Sequence, residues 1–389
     1  MIARRAPDVF LAAAVLVGGV GLAHHEALLG PLREAPAAAA VSAEGTSPGQ
    51  SGPRGRARAG SEDGGFGPTS TGRPAGASAP KEPWPPDYRP AFTAEDDAHR
   101  AALAEAPVAA IEKGSGGRSL AFRITLEDGT QGYYKPEQTF SGTNWHAEVA
   151  SYHLDRMLGL GRVPPTVSRR LPWAPLRRAA GSDERTEEII VQREGEVRGA
   201  FVWWIPEDIP PISPGAHWER WIRVAGAIDA SPLVAGYQWR RELREGTAPR
   251  PGEKKPPPTD ELPAQLSDMV LFDYLTHNLD RWGTSFTNVR TRGPRGPLIF
   301  LDNAAGFFRG KHRIGVMDAR LSVVQKFRRR TVEAIRAFDL SRFRKRLSIE
   351  PLAPILSERL LQGLEVRRRH LLEHVARMER RFGDEVYAW

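Results

Sequence analysis

Apolar and polar residues alternate where the chain first shows clear order. Leu120, Phe122, Ile124 and Leu126 fall on one side of an extended segment with Arg123 and Thr125 on the other, which predicts a half-buried strand. Asp128-Gly129 is a hairpin turn, and Gly132 to Lys135 returns as a second strand that Pro136 stops. From Asn144 to Leu158 the period changes. Ala147, Ala150, Leu154 and Leu158 share one helical face, Gly159 and Gly161 end the helix, and Pro164-Pro165 prevents its resumption. Upstream, Thr93 and Asp96 form a capping-box start for a helix through Glu105. Downstream, Glu188 to Arg193 and Gly199 to Ile205 read as strands, and His217 to Ala230 as a helix. Residues 236–260 read as an exposed proline-rich loop. Ser267 caps a helix through Leu275, and Leu298 to Leu301 is a short buried strand. Two basic amphipathic helices, over 320–345 and 352–382, finish the chain; no internal repeat is present.

The first thirty residues carry a different pattern. Arg4 and Arg5 precede an apolar run from Val9 to Ala23, shorter than the about 20 residues of a membrane span and closer to the apolar region of a signal peptide. Extended to Leu29, the same run gives a membrane anchor. Either reading for 1–30 places the remainder outside the cytosol. Residues 31–90 are rich in Ala, Gly, Ser and Pro and bury too little apolar surface to offset their ordering entropy, so they are expected to form a disordered tether. Folded structure is expected over 91–389, with one lobe at about 91–172 and another at about 205–389.

Composition narrows the chemistry. The 389 residues include 55 Lys and Arg against 47 Asp and Glu, a net charge of +8 that allows an anionic partner without choosing one. With no cysteine, a disulfide scaffold, a thiol nucleophile and Cys-ligated metal sites are all excluded. The basic C-terminal run, with Lys326, Arg328, Arg329, Arg330, Arg344, Lys345 and Arg346, reads as a solvated helix surface before a nucleic-acid face. Trp203, Trp204, Trp218 and Trp221 read as packing residues before a stacking platform.

Asparagine occurs at four positions only: Asn144, Asn278, Asn288 and Asn303. The last three lie beside Asp280 and Asp302. Asn and Asp are common turn residues; as a group, they also supply hard oxygen ligands suited to Mg²⁺ or Mn²⁺. Within LFDYLTHNLDRWGTSFTNV and LIFLDNAAGFF, a helix ends in a polar loop bearing Asp280, and a buried strand delivers Asp302 into a turn before Gly306. One acid can accept a hydroxyl proton while the other holds a metal, the division of labour that protein-kinase catalysis needs. A nucleotide clamp is then expected upstream. Lys135 ends a strand and Glu148 lies on the following helix near its packed side, the alternative being a surface lysine and a solvated glutamate. Gly114, Gly116 and Gly117 could cover phosphates.

These segments resemble a known family. YYKPEQ with NWHAEVASYHLDRMLGLGRVPPTV resembles the lysine and glutamate region of the secretory-pathway kinases related to four-jointed and the Golgi casein kinase. SDMVLFDYLTHNLDRWGTSFTNV, LIFLDNAAGFF and GVMDARLSVVQKFRRRTVEAI are similar to the four-jointed branch, over roughly residues 118–345. The resemblance implies an α+β fold: a bilobal, atypical protein-kinase-like structure with a small β-rich N-lobe and a mainly helical C-lobe. By the same resemblance, Lys135 contacts nucleotide phosphates and Glu148 orients that lysine or the metal. Asp280 is the catalytic base, and Asp302 binds Mn²⁺ or Mg²⁺. It implies an ATP-dependent phosphotransferase acting on Ser or Thr of an exported or surface protein, with a glycan as another acceptor known in the family. Kinases often place a metal-binding Asn five residues after the catalytic Asp; that position is Ser285 here, and Asn288 is the nearest substitute. Animal members carry disulfides and glycosylation sites; the lack of Cys and of any Asn-x-Ser/Thr sequon points instead to a bacterial envelope protein, with a Golgi or secretory lumen as the eukaryotic equivalent. The alternatives are a pseudokinase that only binds, and a kinase-fold enzyme acting on a glycan or transferring a nucleotidyl group. A nucleic-acid partner is not expected.

Overall fold

The computed structural model describes residues 88–389 other than 116, 141–142, 213–217, 227–231, 234–256, 258, 283–287 and 309–313. The expected signal or anchor, nearly all of the tether, Gly116, Ser285 and most of the 236–260 loop therefore lie outside the described residues.

Thr93 and Asp96 do form a capping box. The helix it starts comes in two pieces, α1 (Ala94–Asp97) and α2 (His99–Glu105). A sheet follows: β1 (Val108–Lys113), β2 (Phe122–Leu126) and β3 (Gln131–Pro136). The β2–β3 hairpin turns at Asp128-Gly129, where Gly129 has φ 84° and Thr130 N–H donates to Asp128 Oδ1 at 2.9 Å. Next come α3 (Trp145–Met157), β4 (Thr166–Pro172), α4 (Trp173–Ala180) and β5 (Glu196–Trp203). The five strands pair antiparallel in the order β1-β2-β3-β5-β4. Gly199 is required by this register, because a Cβ there would stand 2.5 Å from the Lys135 carbonyl oxygen of the neighbouring strand.

The C-terminal half is mainly helical. It comprises α5 (Leu262–Thr276), the hairpin β6 (Val289–Thr291) and β7 (Leu298–Phe300), α6 (Ile314–Ser322), α7 (Arg329–Arg336), α8 (Leu340–Leu347) and α9 (Glu358–Phe382). Every residue of α5 is buried, as befits a helix that is apolar on nearly all faces. Two apolar cores result. One lies under the sheet, with Phe122, Ile124, Val197 and Phe201. The other joins α5, α9 and the apolar residues of α3. Among the described residues no helix is long and apolar enough to cross a membrane.

Several expected elements differ. Ser267 does not start a helix: α5 begins at Leu262 with Pro263 in its first turn, and the Ser267 hydroxyl donates to the Lys326 carbonyl at 2.7 Å. Glu188 to Arg193 makes only isolated bridges, Gln138 to Ile189 and Val191 to Val197, after a 3₁₀ turn at Glu184–Glu188. The described part of 217–230 contains a 3₁₀ turn, Trp218–Ile222, and then irregular chain over 223–226. The expected helix over 320–345 is three helices, broken by a turn and irregular stretch at 323–328 and by Asp339, whose side chain caps α8 through Arg342 N–H at 2.7 Å. Strands β1 and β4 were not foreseen. β1 is an edge strand with no fully buried position, and the polar Thr166 and Ser168 of β4 are buried, which masks its alternation.

Candidate active site

The local fold brings Lys135, Glu148 and Asp302 into direct contact. Lys135 ends the central β3 strand. Asn144 starts α3 by accepting the His146 N–H at 3.1 Å, which sets Glu148 in the first turn, facing inward and 2% exposed. The Lys135 ammonium donates to Glu148 Oε1 and, at 2.8 Å, to Asp302 Oδ1. Burial alone would lower the lysine pKa, but the Asp302 and Glu148 carboxylates outweigh it and raise it. Lys135 in turn holds the Asp302 carboxyl below its ordinary range.

Asp302 follows β7 in a left-handed backbone conformation, φ 58°, which a non-glycine residue adopts only under constraint. The constraint comes from its neighbours. Asn303 donates to the Phe300 carbonyl at 2.9 Å and accepts from Arg281 at 2.6 Å. Gly306 N–H closes the turn on Asn303 O at 2.8 Å, and Phe307 N–H reaches the Thr276 carbonyl at 2.6 Å.

Asp280 sits on the loop after α5, which ends at left-handed His277, φ 56°. Asn278 ties the two acidic loops together: its oxygen accepts the Asp280 N–H at 3.1 Å and its amide reaches the Asp302 carbonyl at 3.4 Å. Burial and the Asp302 charge push the Asp280 carboxyl up from its ordinary range. Trp282, two residues on, stacks on Trp218 at 5.2 Å and anchors the loop in the helical core.

Asn288 stands just before β6. Gly114 closes β1, its N–H donating to Ala121 O at 2.8 Å; a Cβ there would meet Tyr133 Oη at 2.5 Å, so close packing accounts for the glycine. Arg281, Asp273 and Arg320 were missed by the sequence reading. Arg281 forks onto Asp273 at 3.0–3.2 Å, both fully buried, and also donates to the Leu301 carbonyl beside Asp302. Asp273 within a largely apolar helix, followed eight residues later by Arg281, was the available signal.

Among the described residues no group of three or more His, Cys, Asp or Glu gathers as a metal cage. Mg²⁺-like ions need none, since one or two carboxylates plus substrate phosphates suffice; Asp302 and Glu148, both paired with Lys135, are the carboxylates that would offer hard oxygens here. Beside it, a cavity of about 480 Å³ opens between the β3–α3 connection and the turn after Asp302, lined by Glu137, Gln138, Phe140, Asn144, Trp145 and Phe308 among others.

Residues 253–385 match the family model described as Golgi casein kinase, C-terminal, Fam20. The chain is similar to members of the four-jointed and Golgi casein kinase family. It is 29% identical to mouse four-jointed box protein 1 over 321 residues, 72% of this chain and 64% of that protein. It is 28% identical to zebrafish glycosaminoglycan xylosylkinase over 57% of this chain and 59% of that one. Human extracellular serine/threonine protein kinase FAM20C is 24% identical over 70% of this chain and 52% of its own length. The chain thus spans between half and two thirds of these relatives. The Golgi casein kinase with Mn/ADP bound shares its fold, with a TM-score of 0.54 at 20% identity over 74% of this chain and 77% of that one. So does hydra Fam20 with sugar, at 0.56 and 22% over 76% and 92%.

Proposed function

We propose that this chain is a divalent-metal-dependent kinase that transfers the γ-phosphoryl group of ATP to a hydroxyl, that of Ser or Thr on an exported or surface protein. The observation that carries the reading is the Lys135 ammonium held between Glu148, on the helix, and Asp302, on the loop after β7. Kinase catalysis requires a strand lysine, a helix glutamate and a metal-binding aspartate in this relation. The Mn/ADP-bound relative and the names of the extracellular kinases support it.

In this mechanism Lys135 contacts phosphate oxygens and Glu148 keeps its ammonium oriented. Asp302 holds the cation, with Asn288 proposed as a further oxygen ligand; Mn²⁺ or Mg²⁺, when bound, neutralises charge on the phosphates. Asp280, joined to the Asp302 loop through Asn278, orients the acceptor hydroxyl and receives its proton as the new O–P bond forms and the bond to ADP breaks. Its raised pKa suits a proton acceptor.

A glycan acceptor is the second reading. The cavity beside Asp302 joins aromatic rings to amides and one carboxylate, a lining that matches a sugar's apolar face and hydroxyl edge. The test is labelled ATP with Mn²⁺ or Mg²⁺, offered with acidic proteins or with short glycosides, followed by label and intact mass. Phosphate-sized product, lost in Asp280→Ala and Asp302→Ala, is expected. Metal-dependent ATP binding without product on any acceptor would support the pseudokinase reading instead, and absence of binding would refute the site.

A further inference from the structure

A second cluster of buried charge is one that the proposed chemistry does not use. Glu350, in the connection between α8 and α9, is 4% exposed and has both carboxylate oxygens engaged. Its Oε1 accepts from His153 Nε2 at 2.5 Å and from the Arg100 guanidinium. Its Oε2 accepts from Ser168 N–H at 2.8 Å and from the Ser168 hydroxyl at 2.9 Å. Leu352 N–H returns to the same hydroxyl at 3.1 Å. His153 is completely buried on α3, and its Nδ1 accepts from Arg346 Nε of α8 at 3.2 Å. Nδ1 therefore acts as acceptor and Nε2 carries the proton, the neutral tautomer that burial favours. One carboxylate thus joins α2, α3, β4 and the α8–α9 connection.

The cluster bears on the site because of which helix it grips. His153 lies five residues after Glu148 on α3. The apolar residues of α3 belong to the helical core, while Glu148 meets a lysine from the sheet. Sliding or rotating α3 would strand a fully desolvated carboxylate and break its contacts together. We infer that Glu350 is a positioning residue: it locks α3 through His153 and so keeps Glu148 on Lys135, making the engaged state of the lysine a built-in property of the chain. The inference rests on the kinase reading only for its effect on turnover.

Full-length Glu350→Gln and His153→Ala, singly and together, test it against Ser168→Ala, which removes an Oε2 donor and leaves the His153 contact intact. Two quantities are read: the rate at which an acylating reagent labels Lys135, measured by mass spectrometry, and kcat with KM for ATP. Lys135 labelling is expected to rise about tenfold in Glu350→Gln and His153→Ala, as the ammonium loses one hydrogen bond to a charged partner. The double variant should add little to either. kcat should fall on the order of 10- to 100-fold, as for a displaced catalytic group, with Ser168→Ala near wild type in both quantities. The inference is overturned if Lys135 labelling in Glu350→Gln matches that in Ser168→Ala, or if the two single effects add in full. Turnover absent from every variant and from wild type, with the labelling difference intact, would sink the kinase reading and leave the positioning role standing.

Discussion

Replacing Arg281 by Met should cost the protein more than any surface ion pair could. Arg281 and Asp273 have side chains 0% and 2% exposed, and the guanidinium contacts both carboxylate oxygens at 3.0–3.2 Å. Breaking a buried pair on one side costs about 3–5 kcal/mol, because the remaining charge is left desolvated. Arg320 also favours the Asp273 charge and remains in the variant, which puts the expectation at the lower end, about 3 kcal/mol. The loss should depend on pH. Burial already pushes the Asp273 carboxyl up, and without Arg281 it rises further above its unfolded value. Below the unfolded pKa, near about 4, both states are protonated and only hydrogen bonds are missing. As pH rises from there to the raised folded pKa, ionisation favours the unfolded state and the deficit grows. Urea unfolding of Arg281→Met and wild type at mildly acid and at neutral pH reads the difference. The double variant Arg281→Met with Asp273→Leu should recover most of it, since an apolar pair replaces the buried charges. A loss under about 1 kcal/mol, equal at both pH values, would be that of a solvated pair and would refute the reasoning.

Two further outcomes are expected. The acid limb of kcat/KM should lie above the ordinary carboxylate range, because Asp280 must be ionised to accept a proton and burial with the Asp302 charge raises its pKa; initial rates across pH check this, and a limb at or below about 4 would contradict it. Gly199→Ala should lower unfolding stability by about 1–3 kcal/mol, because the new Cβ falls 2.5 Å from the Lys135 carbonyl and close to the Tyr134 ring; an unchanged thermal midpoint would show that the β3–β5 register can relax.

Much of this was legible in the chain because local rules agreed with the fold. The β2–β3 hairpin announced itself through strict alternation and Asp128-Gly129, and α3 through its apolar period and the two glycines after it, both with positive φ. Lys135, Glu148 and Asp302 were legible because they sit at the ends of recognisable elements. What escaped depends on distant partners. β4 hides its alternation because Ser168, at a buried position, is satisfied by Glu350, 182 residues away. The basic run from Lys326 to Arg346 read as a solvated helix surface. Yet Arg328 pairs with buried Asp268 at 3.0 Å and Arg330 donates to the Gly159 carbonyl at 2.9 Å, contacts that only the folded chain creates. The sequence grouped the asparagines as a source of hard oxygen ligands. Asn278 and Asn303 serve as ties between the acidic loops, holding backbone and Arg281.

The charge around Lys135 bears on what the site can accept. Glu148 and Asp302 bring two carboxylates onto Lys135, the only cation in direct contact with them among the described residues, and Asp280 feels the Asp302 charge. Arg281 and Arg320 stand close by but are buried, and their donors go to Asp273, Asn303 and backbone carbonyls. Such a face repels a polyphosphate unless further positive charge comes with it. A divalent cation brings two charges in a small volume and prefers the hard oxygens that both sides present. Among the described residues, this charge balance supports the metal dependence proposed for the reaction.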